Sequence, residues 1–409
     1  MKQMNDLEIL ENLSIKLTQI ILPKGSSLLI TKKNYSQNTK HDFVLCAPSL
    51  ITSIKLLINP LYWVPESYAA NKWHLHKGDL ADFFTFALES VDGIYSQYFN
   101  YLSKRKGVKH QLKQKYFTRY FTRQVKEHYE IDPDIYSCFL DEEMVYTCAF
   151  FENKDDNLIS AQTAKNNVIY ERLNVGNKPM KILNIGCGWG SFERFIVKNN
   201  DKCNVVGLSI SQEQIKWAND RNANVLMDVQ KERINLLLED YLHHTPETKY
   251  DAIVSIGMVE HVGLSGYKEY FRKIDSILAK GGRLLVHMIV KGESEIPTNP
   301  WIDKYIFPGG YAPSIKEIVG AAEPYNLRVM GVHIHGPENY KRTLRSWRDK
   351  LSLNKNIMKN IYKEKYSYDE AQADYMYKQW EVYLAGSEAS FSIKKKPQQI
   401  AQFVFKKED

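Results

Sequence analysis

Long apolar runs are missing. No stretch of 18 hydrophobic residues occurs, so nothing in the chain reads as a membrane-crossing helix. The opening Met1-Lys-Gln-Met-Asn-Asp-Leu-Glu8 lacks the charged-then-apolar layout of a secretory signal. Cysteine is sparse: Cys46, Cys138, Cys148, Cys187 and Cys203 are too scattered for a disulfide framework and form no Cys-x-x-Cys metal pair, which points to a reducing, cytoplasmic setting. Internal repeats and low-complexity tracts are absent as well. Acidic residues vanish between Tyr101 and Lys126, where Lys104, Arg105, Lys106, Lys109, Lys113, Lys115, Arg119, Arg123 and Lys126 stand with neither Asp nor Glu. These nine cations give the segment +9, against +7 for the whole chain. Interleaved with Tyr101, Leu102, Tyr116, Phe117, Tyr120 and Phe121, it reads as a basic helix. Such a helix suits an anionic membrane, a phosphate backbone, or a solvated connection between domains with its aromatics packed inward.

What is present is globular. With 409 residues, 44% hydrophobic and 25% charged, the chain has material for two domains. Residues 1–100 hold short apolar runs, Ser27–Ile30 and Asp42–Cys46, then a helix-like stretch from Gly78 to Ser90. The basic segment, residues 101–127, is the natural linker, and 128–409 form the larger unit. Tyr129 to Phe151 reads as aromatic loop and Leu158 to Leu173 as helix. Strand-like runs at Ile182–Ile185, Asn204–Leu208, Ile234–Leu238, Ala252–Ile256 and Arg283–Ile289 then alternate with helical stretches at 211–223 and 266–279. That alternation predicts an α/β fold with a doubly wound parallel sheet. Beyond Met288 the pattern is irregular, then helical from Tyr340 to about Leu384, with a last strand at Ile400–Phe405.

The first of these strands runs into Gly186-Cys-Gly-Trp-Gly190 and then a helix from Phe192 to Lys198. Glycines let the backbone pass closely under a ligand at the carboxyl end of a strand, facing a helix N-terminus. The spacing Gly-x-Gly-x-Gly departs from the dinucleotide fingerprint and is similar to the first motif of S-adenosylmethionine-dependent methyltransferases. Glu260 and His261 follow the fourth strand, and His287 lies near the end of the fifth; a carboxylate and imidazoles over one crevice are candidates for acid–base work. Cys148 sits among aromatics, which favours a neutral thiol over a thiolate nucleophile.

Several segments together resemble the cyclopropane-fatty-acyl-phospholipid synthases and the related mycolic acid methyltransferases. They are Glu127–Glu130 with Tyr136–Asp141, Tyr146–Ala149, Leu183–Gly190, Val206–Ser211 with Gln214, Ser255–Gly263 and Asn299–Gly310. Glu66–Trp73 and Asp79–Phe84 are similar to the small, mainly helical N-terminal domain of the bacterial synthases. The resemblance implies a class I S-adenosylmethionine-dependent methyltransferase fold. It also implies transfer of a methylene from S-adenosylmethionine to the cis double bond of an unsaturated phospholipid acyl chain, closing a cyclopropane ring. The base implied is a bound bicarbonate held at Cys148, Glu260, His287, the Ile289 backbone and Tyr340. The cofactor positions implied are Tyr146, Thr147, Gly186, Gly188, Gly190, Ser209, Ile210, Gln214, Asp240, Tyr241 and Ile256, with no metal. Asn184 stands where the family usually has Asp.

A peripheral position on the inner face of the membrane is expected, and a homodimer is among the assemblies allowed. Nucleic acid is not an expected partner, since no Asn/Asp-Pro-Pro-Phe/Tyr amine-positioning motif occurs. A fatty-acid or small-molecule C- or N-methyltransferase without ring closure is the same-fold alternative, and a catalytically silent lipid-binding protein the other.

Overall fold

Strands β1 (Leu28–Thr31), β2 (Phe43–Cys46) and β3 (Leu75–Lys77) form a small sheet in the order β1-β2-β3. The computed structural model describes residues 12–13, 15–16, 28–31, 41–46, 49–89, 131–291, 299–394 and 397–408. The basic segment 101–126 and Glu127–Glu130 lie outside them. Helices α1 (Leu50–Ile58), α2 (Pro60–Ala69) and α3 (Leu80–Glu89) accompany this sheet, so the described amino-terminal residues are mainly helical, as the resemblance implies, with a small sheet added. The sheet was missed because each strand has only three or four residues, too short for a period-2 pattern to declare itself.

The central sheet has seven strands: β4 (Met180–Ile185), β5 (Cys203–Ser209), β6 (Ile234–Leu238), β7 (Tyr250–Ile256), β8 (Leu278–Val290), β9 (Leu327–His335) and β10 (Gln399–Lys407). Their order is β6-β5-β4-β7-β8-β10-β9. The β6-to-β8 portion is parallel, as the strand and helix alternation predicts. β10 then inserts antiparallel between β8 and β9. Near-continuous burial of β4 and β7 fits strands covered by helices on both faces.

Those covers include α4 (Leu158–Arg172), α5 (Ser191–Asn199), α6 (Gln212–Val225) and α7 (Tyr267–Ile277). Polar caps start two of them: Asn157 accepts from the Ser160 amide and Ser211 from the Gln214 amide. On α7, Tyr267, Tyr270, Phe271, Ile274 and Ile277 recur at helical spacing and are buried toward the sheet.

The irregular stretch after Met288 contains two short helices, Pro300–Tyr305 and Ile315–Ala322, and the edge strand β9. The helical stretch from Tyr340 resolves into α8 (Glu338–Leu353), α9 (Lys355–Tyr366) and α10 (Glu370–Ser392). These carboxy-terminal helices share one apolar core with the amino-terminal elements: Trp73, Phe83 and Phe84 cluster with Trp347, Tyr377 and Leu384. A polar tie reinforces it, with Arg348 donating to Asp79 of the β3–α3 turn and to Glu388 of α10 at 2.8 and 2.7 Å.

Candidate active site

The carboxyl ends of the parallel strands open into a cavity at the point where chain order reverses, between β4 and β7. The β4–α5 turn forms its floor. Gly186 has φ +82°, and a Cβ there would meet Met258 at 2.6 Å, so the turn needs glycine to pack. Gly188, at φ +54°, would point a Cβ at nothing within 4 Å, leaving room for a ligand. Of the eleven cofactor positions implied by sequence, Tyr146, Thr147, Gly186, Gly188, Ser209, Ile210, Gln214, Asp240, Tyr241 and Ile256 line this cavity. Gly190 does not: it is the left-handed N-cap of α5, and a Cβ there would face Ala218 and Arg194. The Ser209 hydroxyl donates to Gln214 Oε1 at 2.9 Å, fixing the amide at the cavity wall.

Sequence reasoning missed Lys165, Trp189, Glu239 and Glu269, which also line the cavity. Lys165 is 2% exposed and donates to Thr147 Oγ1 at 2.9 Å and Gln162 Oε1 at 2.8 Å. Burial lowers its pKa to about 8. Its signal in sequence was only a lysine on the apolar side of a helix, where solvated lysines are the common case.

The five positions implied for the anion site do not line this cavity but fall into two groups. His287 and Ile289 sit two apart on β8, hence on one face of the sheet. Glu260, on a single helical turn after β7, reaches β8 by accepting from the Ile289 amide at 2.8 Å through Oε1. Its own carbonyl accepts from the Tyr311 amide. Cys148 lies in the loop ahead of α4, where its thiol donates to the Ala149 carbonyl at 3.2 Å and the Ala149 amide donates to Thr343 of α8. Tyr340, one turn before Thr343, packs on Phe391 and Trp347 in the same core cluster as Cys148. Phe150 joins the two groups, its ring 5.7 Å from that of His287.

Burial sets the charge of Glu260, Cys148 and His287. It pushes the Glu260 carboxyl up to about 7, lifts the Cys148 thiol well out of the thiolate range, and drives His287 well below the ordinary imidazole value, helped by Lys165, His335 and Arg172. At neutral pH the imidazole is therefore uncharged and the thiol protonated. Glu260 Oε2 and His287 Nε2 are both buried and have no hydrogen-bond partner among the described residues. His287 Nδ1 is 3.1 Å from Gln402 Nε2, and Arg172 Nη1 donates to Gln402 Oε1. His261, beside Glu260, lines the cofactor cavity, with burial holding its pKa down to about 4.

A glycine turn under a cavity at the switch point, and a parallel sheet completed by an inserted antiparallel strand, define the class I S-adenosylmethionine-dependent methyltransferase fold. Two solved cyclopropane synthases share it. One is the cyclopropane synthase MmaA2 from Mycobacterium tuberculosis, 28% identical over 70% of this chain and 98% of that one, with a TM-score of 0.61. The other is the mycolic acid cyclopropane synthase CmaA1 complexed with SAH and CTAB, 30% identical over 69% and 97%, TM-score 0.60. The profile of the mycolic acid cyclopropane synthetase family matches residues 117–403, and the chain belongs to that family. The cyclopropane-fatty-acyl-phospholipid synthase of Escherichia coli is 39% identical over 227 residues, 55% of this chain and 56% of that protein. The match thus spans little more than half of that relative's length.

Proposed function

We propose that the chain transfers a methylene from S-adenosylmethionine to the cis double bond of an unsaturated phospholipid acyl chain, closing a cyclopropane ring, with bicarbonate as the base. The observation that carries this reading is the pair of unsatisfied buried polar atoms, Glu260 Oε2 and His287 Nε2, held beside a cofactor-sized cavity. An unpaired buried polar atom is costly unless a ligand satisfies it. A small oxyanion bearing one hydroxyl suits this pair: a carboxylate oxygen to accept from its hydroxyl and an imidazole to donate to it, with the Tyr340 phenol and the Cys148 thiol, itself donating to the Ala149 carbonyl, in the neighbouring core cluster. The Ile289 amide is committed to Glu260, so its part is to hold that carboxyl in place.

An alkene is a weak nucleophile, and its methylation leaves a carbocation. Bound bicarbonate would supply a base too poorly nucleophilic to trap that cation. The chain's own residues do the rest. The β4–α5 glycine turn, Ser209 and Gln214 hold the methionine and ribose parts of the cofactor, and Asp240 with Tyr241 flank adenine. Cys148, kept protonated by burial, does not compete as a nucleophile. The aromatic cluster of Tyr146, Phe150, Trp347 and Phe307 excludes water from the reacting carbons.

The acyl chain must be drawn from a bilayer, so a peripheral membrane contact belongs to the same reading. Supporting it, Ile51, Ile54 and Ile58 are 68, 45 and 61% exposed and recur at helical spacing along α1, with Lys55 beside them.

The test is to incubate the protein with labelled S-adenosylmethionine and unsaturated phospholipid vesicles and to identify the fatty acids by mass. A gain of one methylene with loss of the double bond is expected. A methyl-branched product, or label on a small-molecule amine alone, selects the same-fold alternative. Turnover should fall in bicarbonate-depleted buffer and recover on adding bicarbonate; a rate indifferent to both would falsify the anion-base assignment.

A further inference from the structure

Gln402 and His287 are direct cross-strand partners in the β10–β8 pairing, so their side chains share a face of the sheet. Gln402 is fully buried and its amide has two ends that a fold must assign. The chemistry assigns them here. Arg172, the last residue of α4, offers only donors, and its Nη1 contacts one end of the amide. That end must be the carbonyl oxygen, so the NH2 end faces His287 Nδ1 at 3.1 Å. A donor facing Nδ1 requires Nδ1 to be the bare, accepting nitrogen. The single imidazole proton then resides on Nε2, the atom buried with no partner among the described residues.

We infer that Gln402, itself oriented by Arg172, is a positioning residue that fixes His287 in the tautomer whose Nε2–H donates to the anion beside the transferring methyl. The inference deepens the anion-base reading and rests on it for what the Nε2–H meets. The alternative tautomer would aim a lone pair at an anion and repel it. Arg172 is in turn fixed at its backbone, where its carbonyl accepts from Arg283 Nη1 at 2.8 Å, and it also contacts His335 Nε2 at 3.1 Å. The same guanidinium, with Lys165, opposes protonation of His287, which keeps a single proton to be placed.

The experiment uses the full chain with 15N-labelled histidine, the His287 signals being assigned by their loss in His287→Gln. Long-range nitrogen–proton correlation spectra report which ring nitrogen carries the proton. In the parent protein, Nδ1 should show the shift of a bare nitrogen and Nε2 that of a protonated one; a protonated Nδ1 overturns the inference, and this readout needs no Gln402 variant to fold. In Gln402→Glu, which keeps the shape and the acceptor for Arg172 but replaces the facing donor by a carboxylate oxygen, Nδ1 should gain a proton. An unchanged bare Nδ1 in that variant counts against Gln402 as the cause.

Gln402→Leu should lower kcat on the order of 10- to 100-fold, as loss of a ligand-orienting partner typically does, with the S-adenosylmethionine Kd unchanged. Parent-level kcat in a folded Gln402→Leu protein also overturns the inference. Adding bicarbonate to the parent should move the Nε2 resonance and leave Nδ1 in place. Failure of that last response, with Nδ1 bare as expected, removes the anion reading while the tautomer assignment to Gln402 stands.

Discussion

Glu260 is buried at a thermodynamic cost that its single hydrogen bond from Ile289 does not offset. Its folded-state pKa, about 7, lies above the usual 4.5, so between these values the folded protein binds more protons than the unfolded chain. Stability from this group is therefore present below pH 4.5 and is lost as pH rises toward 7, a difference of about 3 kcal/mol at 1.36 kcal/mol per pKa unit. Glu260→Gln should abolish that slope. Urea melts in bicarbonate-depleted buffer at pH 8 should place the variant's midpoint above the parent's, while its turnover falls by on the order of a hundredfold or more and cofactor binding persists. A variant less stable than the parent at pH 8 contradicts the burial argument. Cys148→Ser should be milder, because a hydroxyl also donates, and alkylation of Cys148 at neutral pH should be slow, since its thiol is protonated.

Asn184 shows the same logic used in the opposite sense. Its Nδ2 donates to Glu193 Oε1 at 2.9 Å deep beneath the glycine turn, and burial raises Glu193 to about 7. An Asp at this position would set two buried carboxyls against each other, so Asn184→Asp should lower the thermal midpoint, more at pH 8 than at pH 5. Gly186, Gly188, Ser209, Asp240 and Ile256 of the cavity lining were legible because they lie at or just past strand ends, which the alternation of apolar runs locates, whereas Tyr340, on α8, came only from the resemblance. Lys165, Arg172 and Gln402 were not: each looks like an ordinary surface or strand residue until the sheet order places it.

At the scale of elements, the β4–α5 turn is the most sharply constrained. Gly188→Val forces a branched side chain into positive φ and into the open cavity, so calorimetry should show S-adenosylmethionine binding abolished. The polar tie between α8, α10 and the turn before α3 is open to a similar test. Glu388 is 1% exposed and bound by both Arg345 and Arg348. Arg348→Met would leave it short of one partner and should cost about 3 to 5 kcal/mol, read as a lowered urea midpoint. The parallel strands and long helices were readable because their apolar periods run for a full element. The edge strand β9 was not, since most of its residues stay exposed or half-exposed and Gly331 interrupts it. The helices Pro300–Tyr305 and Ile315–Ala322 are too short for a period to emerge.

For the whole molecule, the proposed bilayer contact makes a graded prediction. Replacing Ile51, Ile54 and Ile58 with Ser should weaken co-sedimentation with anionic vesicles at any ionic strength, because apolar burial is not screened. Changing Lys104, Arg105 and Lys106 to Glu should weaken it chiefly at low salt, at about 1 kcal/mol per basic residue near the surface. Vesicle binding indifferent to both sets of changes leaves the acyl substrate without a route from either surface. The sequence pattern could propose the basic stripe, but not the α1 stripe, which looks like a core helix until the fold leaves it uncovered.

The position of β10 also governs time. It slots between β8 and β9 with Gln402 opposite His287, partners 115 residues apart in sequence. Closing a loop of that length costs about 4 kcal/mol of chain entropy before any contact rewards it. The sheet therefore cannot zip in chain order: β8 and β9 must wait, unpaired on their facing edges, for a segment that arrives last. Refolding from urea should show the parallel strands protected against hydrogen exchange in an early phase, with β10 protection and catalytic competence appearing together in a later one. A newly made chain would acquire its cofactor cavity before it acquired its reactivity.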